Sequence, residues 1–410
     1  IIIEPVLLSF DVVGGDNETR SRAIPFLNAL IGGSIINEDA FRYLENALEG
    51  RLGIGAKIEY SAFNKNKKRK GFHIVVKLVG SVNTTISISN EGTETLGKEV
   101  VFARVQLVDK IPGFKSIYFS TFNTLKTDGY RSLGAGFVSG LTKKNELYFN
   151  MNLSRAQYDI IGDSSIPNIV YDRQLITLGW QYQISEKRSF SNTFFAAITA
   201  SDLERKQYVD DIDEKLRAVE LGYWQQNVWK DNALFWQGKV EKGLDSLGAK
   251  LEGPLADTNT DIDYSLFTLQ MVFNKDLFWD IGLRTDIQGQ YSSDFLPSSQ
   301  RFSIASNSLI RAFEGGEING DSGLGIKIEL SKGDDLALLS SRVVPYSYYS
   351  IGKVRDNAAI QSTTAASIGL GVRWFNRFLS SYVELGKPLE EDSRYRESSP
   401  RIRASVRLFF

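Results

Sequence analysis

His73 is the chain's single imidazole, and it stands in the apolar run Gly71-Phe-His-Ile-Val-Val76 with no His, Cys or carboxylate at ligand spacing. Acid–base work or metal ligation would need such partners, so it reads as a satisfied structural histidine. A Ser-His hydrolase is not expected for the same reason. Asp257-Thr-Asn-Thr-Asp-Ile-Asp263 has the acidic spacing of a calcium loop but lacks its turn Gly and its later bidentate Glu, and reads as an acidic surface loop. Gly134, Gly136 and Gly140 do not have dinucleotide spacing and fall on a strand pattern, where small residues make room. No catalytic residue, metal ligand or cofactor site is expected.

What chemistry remains lies along alternating strands. The last ten residues put Ile402, Ala404, Val406, Leu408 and Phe410 on one face and Arg401, Arg403, Ser405 and Arg407 on the other. One face suits lipid and the other a wet lumen, with a terminal aromatic where an interfacial girdle needs it. Val82, Thr84, Ile86 and Ile88 likewise oppose Asn83, Thr85, Ser87 and Ser89, and Leu147, Phe149, Met151 and Leu153 oppose Asn150, Asn152 and Ser154. Trp279, Ile281, Leu283 and Ile287 alternate with Asp280, Arg284, Asp286, Gln288 and Gln290, charges that a soluble sandwich would have to bury.

Composition permits a barrel and excludes a helical membrane protein. Of 410 residues 42% are hydrophobic and 24% charged, and no run approaches the roughly eighteen apolar residues that span a bilayer as a helix. A barrel needs only every second residue apolar. The absence of Cys suits an oxidising envelope. A net charge of −1 gives no reason to expect nucleic acid, and Lys65-Asn-Lys-Lys-Arg-Lys70 reads as a solvated hairpin tip. The chain begins Ile1-Ile2-Ile3, without Met or an export signal, and reads as a processed or truncated form.

Two regions differ in grammar. Residues 1–80 read as a small α+β domain: a strand over Leu7–Val13, a helix over Arg20–Leu30, a second helix capped by Asn37 and burying Phe41, Leu44, Leu48 and Leu52, then strands Ala56–Phe63 and Gly71–Val79. That order resembles a POTRA domain, the periplasmic module in front of Omp85-superfamily barrels. Residues 81–410 read as about sixteen transmembrane strands with short and long connections alternating. Short turns are expected near Ile111-Pro-Gly113, Lys143-Lys-Asn145, Glu186-Lys-Arg188, Asn274-Lys-Asp276 and Phe375-Asn-Arg377. Long loops are expected over Asp159–Asn168, Ser201–Asp213, Leu244–Asp261, Ser292–Ser322 and Gly386–Pro400. Tyr118, Tyr148, Trp180, Trp224, Trp229, Trp236, Trp279 and Trp374 are candidates for interfacial belts.

The loop over 292–322 carries Leu296-Pro-Ser-Ser-Gln-Arg-Phe302, Ile310-Arg-Ala-Phe313 and Gly320-Asp-Ser-Gly323. With its flanking strands it resembles the TpsB family, the two-partner secretion exporters of the Omp85 superfamily. There the sixth extracellular loop folds into the lumen on a Val/Ile-Arg-Gly-Phe/Tyr tip, followed by a Gly-Asp-x-Gly turn. Ile310, Arg311 and Phe313 match the tip, Gly320, Asp321 and Gly323 the turn. Pro345 to Arg355, Ser367 to Arg373 and the terminal Phe410 resemble the closing strands. Two positions depart from the pattern: Ala312 stands where the tip has Gly, and Ser350, on the strand that faces the loop together with Gly352, stands where the family presents an Asp to the arginine. A buried guanidinium needs acceptors; Glu329, Glu384 or backbone carbonyls are the candidates. The family also carries two POTRA domains and a plug helix where one such domain is visible here, for which truncation is the simpler account.

The resemblance implies a mainly β protein, a 16-stranded antiparallel barrel of the bacterial outer membrane with a periplasmic POTRA domain, exporting a TpsA-like secreted exoprotein. It implies contact with outer-membrane lipid and lipopolysaccharide. It also implies recognition of Val406, Leu408 and Phe410 by the barrel assembly machinery during biogenesis. The chain would be a passive pore, since no phosphate-binding motif is present. An Omp85-type factor that assembles other barrels is the alternative; a diffusion porin would leave the N-terminal domain and the loop motif unused.

Overall fold

The computed structural model describes residues 6–14, 24, 27, 55–65, 69–79 and 81–410, the last span without 127, 143, 159–168, 188, 207–210, 230–231, 254–259, 280, 333, 339–340, 377 and 391–398. The first three strands, Val6–Gly14, Gly55–Lys65 and Arg69–Val79, form a sheet of their own with Arg69–Val79 in the centre. Val6–Gly14 pairs with it in parallel and Gly55–Lys65 antiparallel, the hairpin ladder reaching Lys65 opposite Arg69. Ile74 and Val76, two residues apart and so on one face, are fully buried, as is Leu27. The helices predicted over Arg20–Leu30 and after Asn37 fall outside the described residues, except that Ile24 and Leu27 are helical. His73 lies on the central strand, opposite Ser9 and Ser61.

From Ser81 onward the chain winds into a closed antiparallel barrel of sixteen long strands. Among the described residues no helix is long and apolar enough to cross a membrane; the crossing is made by strands, which pair their backbone polar groups laterally with their neighbours. Alternation decides which face meets lipid. Val383 and Leu385 are 59% and 49% exposed while Glu384 between them is 1% exposed. Leu370 and Val372 flank the inward Gly371 and Arg373 in the same way. The last strand, Arg401–Phe409, closes on the first, Ser81–Ser89, with Ser405 opposite Ser89 and Phe409 opposite Thr85. Phe410 adds a reciprocal pair of backbone bonds with Thr84 (2.9 and 3.0 Å).

Several predicted loops begin too early. The strands on either side of Ser201–Asp213 run on to Lys206 and resume at Ile212, Leu379–Glu390 continues past Gly386, and Ser265–Asp276 runs through the expected turn at Asn274–Asp276. In the first two, polar residues on both faces ended the alternation in sequence, yet the ladder continues because backbone pairing is indifferent to side-chain polarity beyond the apolar band. The turn after Asp276 runs over 277–279, with Trp279 in left-handed backbone (φ +59°), so Trp279 belongs to the turn and not to the following strand. Leu244–Asp261 carries a short strand, Lys250–Glu252, which pairs with Asp213–Lys215. Trp229, Trp279 and Trp374 are exposed, as a belt requires. Tyr148 instead lies across the inward-facing Gly179, and Trp224 shares the inward parity of Gly222, opposite the exposed Leu221.

Candidate functional site: a loop locked onto the barrel wall

Between Tyr291 and Ser322 the chain leaves the wall and packs back against it. The loop builds its own small core from Ile304, Ala305, Leu309, Ile310, Phe313 and Ile318, completed by Val354 and Ala365 of the wall. Burying the five large ones contributes roughly 1.5–3 kcal/mol for each side chain. Backbone bonds brace it from within: Ile304 N–H to Ile318 O (3.1 Å), Ile310 N–H to Ile304 O (3.1 Å) and Gly316 N–H to Ala305 O (3.0 Å). A two-residue ladder, Phe302–Ser303 with Asn319–Gly320, closes its neck.

The wall admits this core because it lacks side chains at the contact points. A Cβ on Gly325 would lie 2.7 Å from Leu309 Cδ1, and one on Gly352 would lie 3.0 Å from Ile304 Cγ2. Ser350, one inward position before Gly352, is fully buried and shares a 2.8 Å hydroxyl–hydroxyl bond with Ser367. It therefore does not stand in for an acidic partner of Arg311.

That partner is Glu384. Arg311 Nη1 donates to Glu384 Oε2 at 2.6 Å, its Nε donates to Asn307 O at 2.8 Å, and its guanidinium lies 5.9 Å from the Tyr348 ring centre. The Tyr346 hydroxyl donates to the same Glu384 oxygen at 2.8 Å. Ala312 avoids left-handed backbone, and its Cβ sits 3.6 Å from where a Cβ on Gly386 would be. The tip thus has no need of Gly at this position, and Gly386 on the wall makes room instead for the Tyr348 hydroxyl, which would lie 2.7 Å from a Cβ there.

The turn Gly320-Asp-Ser-Gly323 is the loop's anchor at its other end. Asp321 is 3% exposed; its Oδ1 accepts from Leu296 N–H (3.0 Å) and its Oδ2 from Asn357 N–H (2.7 Å). One carboxylate thereby ties both ends of the loop to the following hairpin. A Cβ on Gly320 would lie 2.7 Å from Arg355 O, and one on Gly323 would lie 2.8 Å from Lys353 O and 2.7 Å from Phe302 Cδ1. Both glycines are required by close backbone approach.

Sequence reasoning weighed Glu384 without choosing it and missed Asn307, Arg403 and Glu91. Arg403 is directly opposite Glu384 in the ladder of the last two strands. It is 2% exposed, donates to Asn307 Oδ1, and pairs with Glu91 at 3.1 Å. Glu91 also accepts from Tyr382, and Glu314 of the loop accepts from Glu94 N–H at 3.0 Å. The loop is thus tied to segments on both sides of the seam between first and last strands. The usable signal was parity: Glu384 and Arg403 are charged residues on the inward register of strands whose other face is apolar. Beside this cluster Arg373 meets Glu329 at 2.5 and 2.7 Å, and Lys327 meets Asp286 at 3.1 Å. Among the described residues no group of His, Asp and Glu is arranged to hold a metal ion.

A sixteen-stranded antiparallel barrel whose in-folded loop is keyed to an inward-facing charged wall defines a class, the outer-membrane transporters of the Omp85 type. The model of the haemolysin secretion/activation protein family ShlB/FhaC/HecB matches residues 74–374, and the chain belongs to that family. It is an outer-membrane two-partner secretion transporter, and its partner is a secreted exoprotein. Among solved structures, CdiB from Escherichia coli superposes with a TM-score of 0.77 at 14% identity, over 99% of this chain and 77% of that one. CdiB from Acinetobacter baumannii gives 0.68 at 16% identity, covering 99% and 74%. BamA from Haemophilus ducreyi lacking POTRA domains 1–3 gives 0.60 at 14% identity, covering 99% and 85%. At these identities the likeness is one of fold. No curated protein sequence matches the chain.

Proposed function

We propose that the chain is a passive protein-conducting pore, closed at rest by the loop over 292–322 and opened when that loop leaves the wall. The observation that carries this reading is the keyed contact of Arg311 with Glu384. It is made of one ion pair and shape rather than covalent bonds, so it can be released and re-formed. Ile310, Arg311, Ala312 and Phe313 form the tip, Gly320, Asp321 and Gly323 the hinge-side anchor, and Ser350 and Gly352 the strand on which the loop rests. Residues 1–80 form a periplasmic POTRA-like domain that captures the unfolded exoprotein by adding its strand to a sheet edge, and residues 81–410 form the conducting barrel. Folding of the cargo outside prevents its return and supplies the drive. Val406, Leu408 and Phe410 address the chain to the barrel assembly machinery, and the exposed apolar faces meet lipid and lipopolysaccharide.

Deletion of the protein, with paired proteomics of medium and outer membrane, tests the assignment. Loss of one large exoprotein from the medium at unchanged barrel abundance is the expected result; a broad fall in other barrels would assign an assembly factor instead. Unchanged cargo release after deletion of residues 1–80 would remove the capture step.

A further inference from the structure

The chemistry of the barrel's inward surface changes around its circumference, and the strands from Ile212 to Gly243 carry an ionic group, Lys239 with Glu220 and Glu241. The strands from Ile281 to Phe409 carry the ionic groups already described: Asp286 with Lys327, Glu329 with Arg373, Glu384 with Arg311, and Arg403 with Glu91. The loop core and its tip pack on this side. On the strands between Phe114 and Lys206 the mid-wall is different. Phe119, Leu133, Leu153, Ile176 and Ile198 are 58%, 62%, 39%, 39% and 55% exposed, which turns Ser120, Ser132, Asn152, Thr177 and Thr199 inward by alternation. These side chains are short and uncharged: Asn152 Nδ2 donates to Ser132 Oγ at 2.8 Å, and Thr177 and Thr199 share a 3.4 Å hydroxyl pair, while Thr199, at the edge of the stretch, also donates to Glu220 Oε1 at 2.8 Å. Gly134 adds no side chain between them, and a Cβ there would lie 2.6 Å from Ser120 Oγ.

We infer that this hydroxyl and amide wall is the track along which an extended, unfolded polypeptide passes, while the ionic wall is the seat of the loop. The inference rests on the pore reading above. Conduction needs contacts that admit the traveller without holding it. Fixed charges on the track would attract each opposite charge of the cargo, and even in a water-filled lumen a single such contact would lengthen dwell roughly fivefold. Hydroxyls and amides that already satisfy one another offer weak, exchangeable bonds at every step and discriminate little between side chains.

The test places a photo-crosslinking residue at Ser132, Asn152 or Thr177 on one wall and at Gln288 or Lys327 on the other, in the full-length protein in cells. Gln288 is the milder reporter of the ionic wall, since its loss removes only a 3.3 Å bond from Ser308. The probe is the exoprotein identified by the deletion experiment, carrying a C-terminal fusion to a domain that folds before export and stalls it in transit. At least fivefold more crosslinked cargo from Ser132, Asn152 and Thr177 than from Gln288 and Lys327 is expected. Equal yields, or more from Gln288 and Lys327, would overturn the track while leaving the pore intact. Absence of crosslinks from every inward position, with cargo still reaching the medium, would overturn the pore reading itself.

Discussion

Glu384 and Arg403 face one another across the last two strands, yet each uses its charge on the loop: Glu384 accepts from Arg311 at 2.6 Å and Arg403 donates to Asn307. The final hairpin of the barrel is therefore the clasp of the loop as well as part of the wall. Glu384 is fully buried at the side chain and Arg311 is 17% exposed, so this is an ion pair made largely out of water. Removing one member leaves the other uncompensated, which typically costs about 3–5 kcal/mol.

Arg311→Gln and Glu384→Gln should each raise the resting conductance of the purified pore in planar bilayers and expose the loop to added protease. Arg311→Lys should fall between them and the parent, because a single ammonium cannot serve both Glu384 and the Asn307 carbonyl. The double variant should be less than additive. Resting conductance unchanged in all four proteins would show that this pair does not hold the loop.

Asp321→Ala should loosen the neck of the loop without touching its tip. Two buried backbone N–H groups, of Leu296 and Asn357, lose their acceptor, at about 1–3 kcal/mol each. The folded, fast-migrating form on unheated gels should convert to the unfolded form at lower temperature than the parent, and Asp321→Asn should lie between the two.

Gly352→Ala and Gly325→Ala should displace the loop core, since the added Cβ would lie 3.0 Å from Ile304 and 2.7 Å from Leu309. Gly315→Ala is the control, with nothing within 4 Å of its Cβ. Protease sensitivity of the loop should rise in the first two and stay at the parental level in the third. Equal sensitivity in all three would mean that the loop core does not depend on the wall's glycines.

A disulfide between Ser89→Cys and Ser405→Cys should form readily, because the two residues are directly opposed across the seam and the chain has no other Cys. An exporter that conducts through its lumen should secrete at the parental rate when the seam is locked under oxidising conditions. Loss of activity that returns on reduction would instead point to a function that opens the wall, as in barrel assembly.

Much of the architecture was legible because a barrel writes its two faces into alternate residues. Ile402, Val406 and Leu408 are outward on the last strand as the pattern required, and Asp286 and Arg284 share an inward bond. Legibility failed where backbone pairing outran side-chain chemistry, as beyond Ser201 and Gly386. It failed again at Trp279, whose aromatic side chain fits an interface whether it ends a strand or makes a turn.

By itself the sequence determined the strand period, the polarity of each face and the glycine-rich anchor of the loop, since these depend only on neighbours along the chain. Only the tertiary structure decided which acidic residue receives Arg311, that Ser350 pairs with Ser367, and that Asn307, Arg403 and Glu91 join the loop to the seam. These partners lie tens to hundreds of residues apart. What brings them together is the closure and register of the barrel, which fix where each inward side chain points.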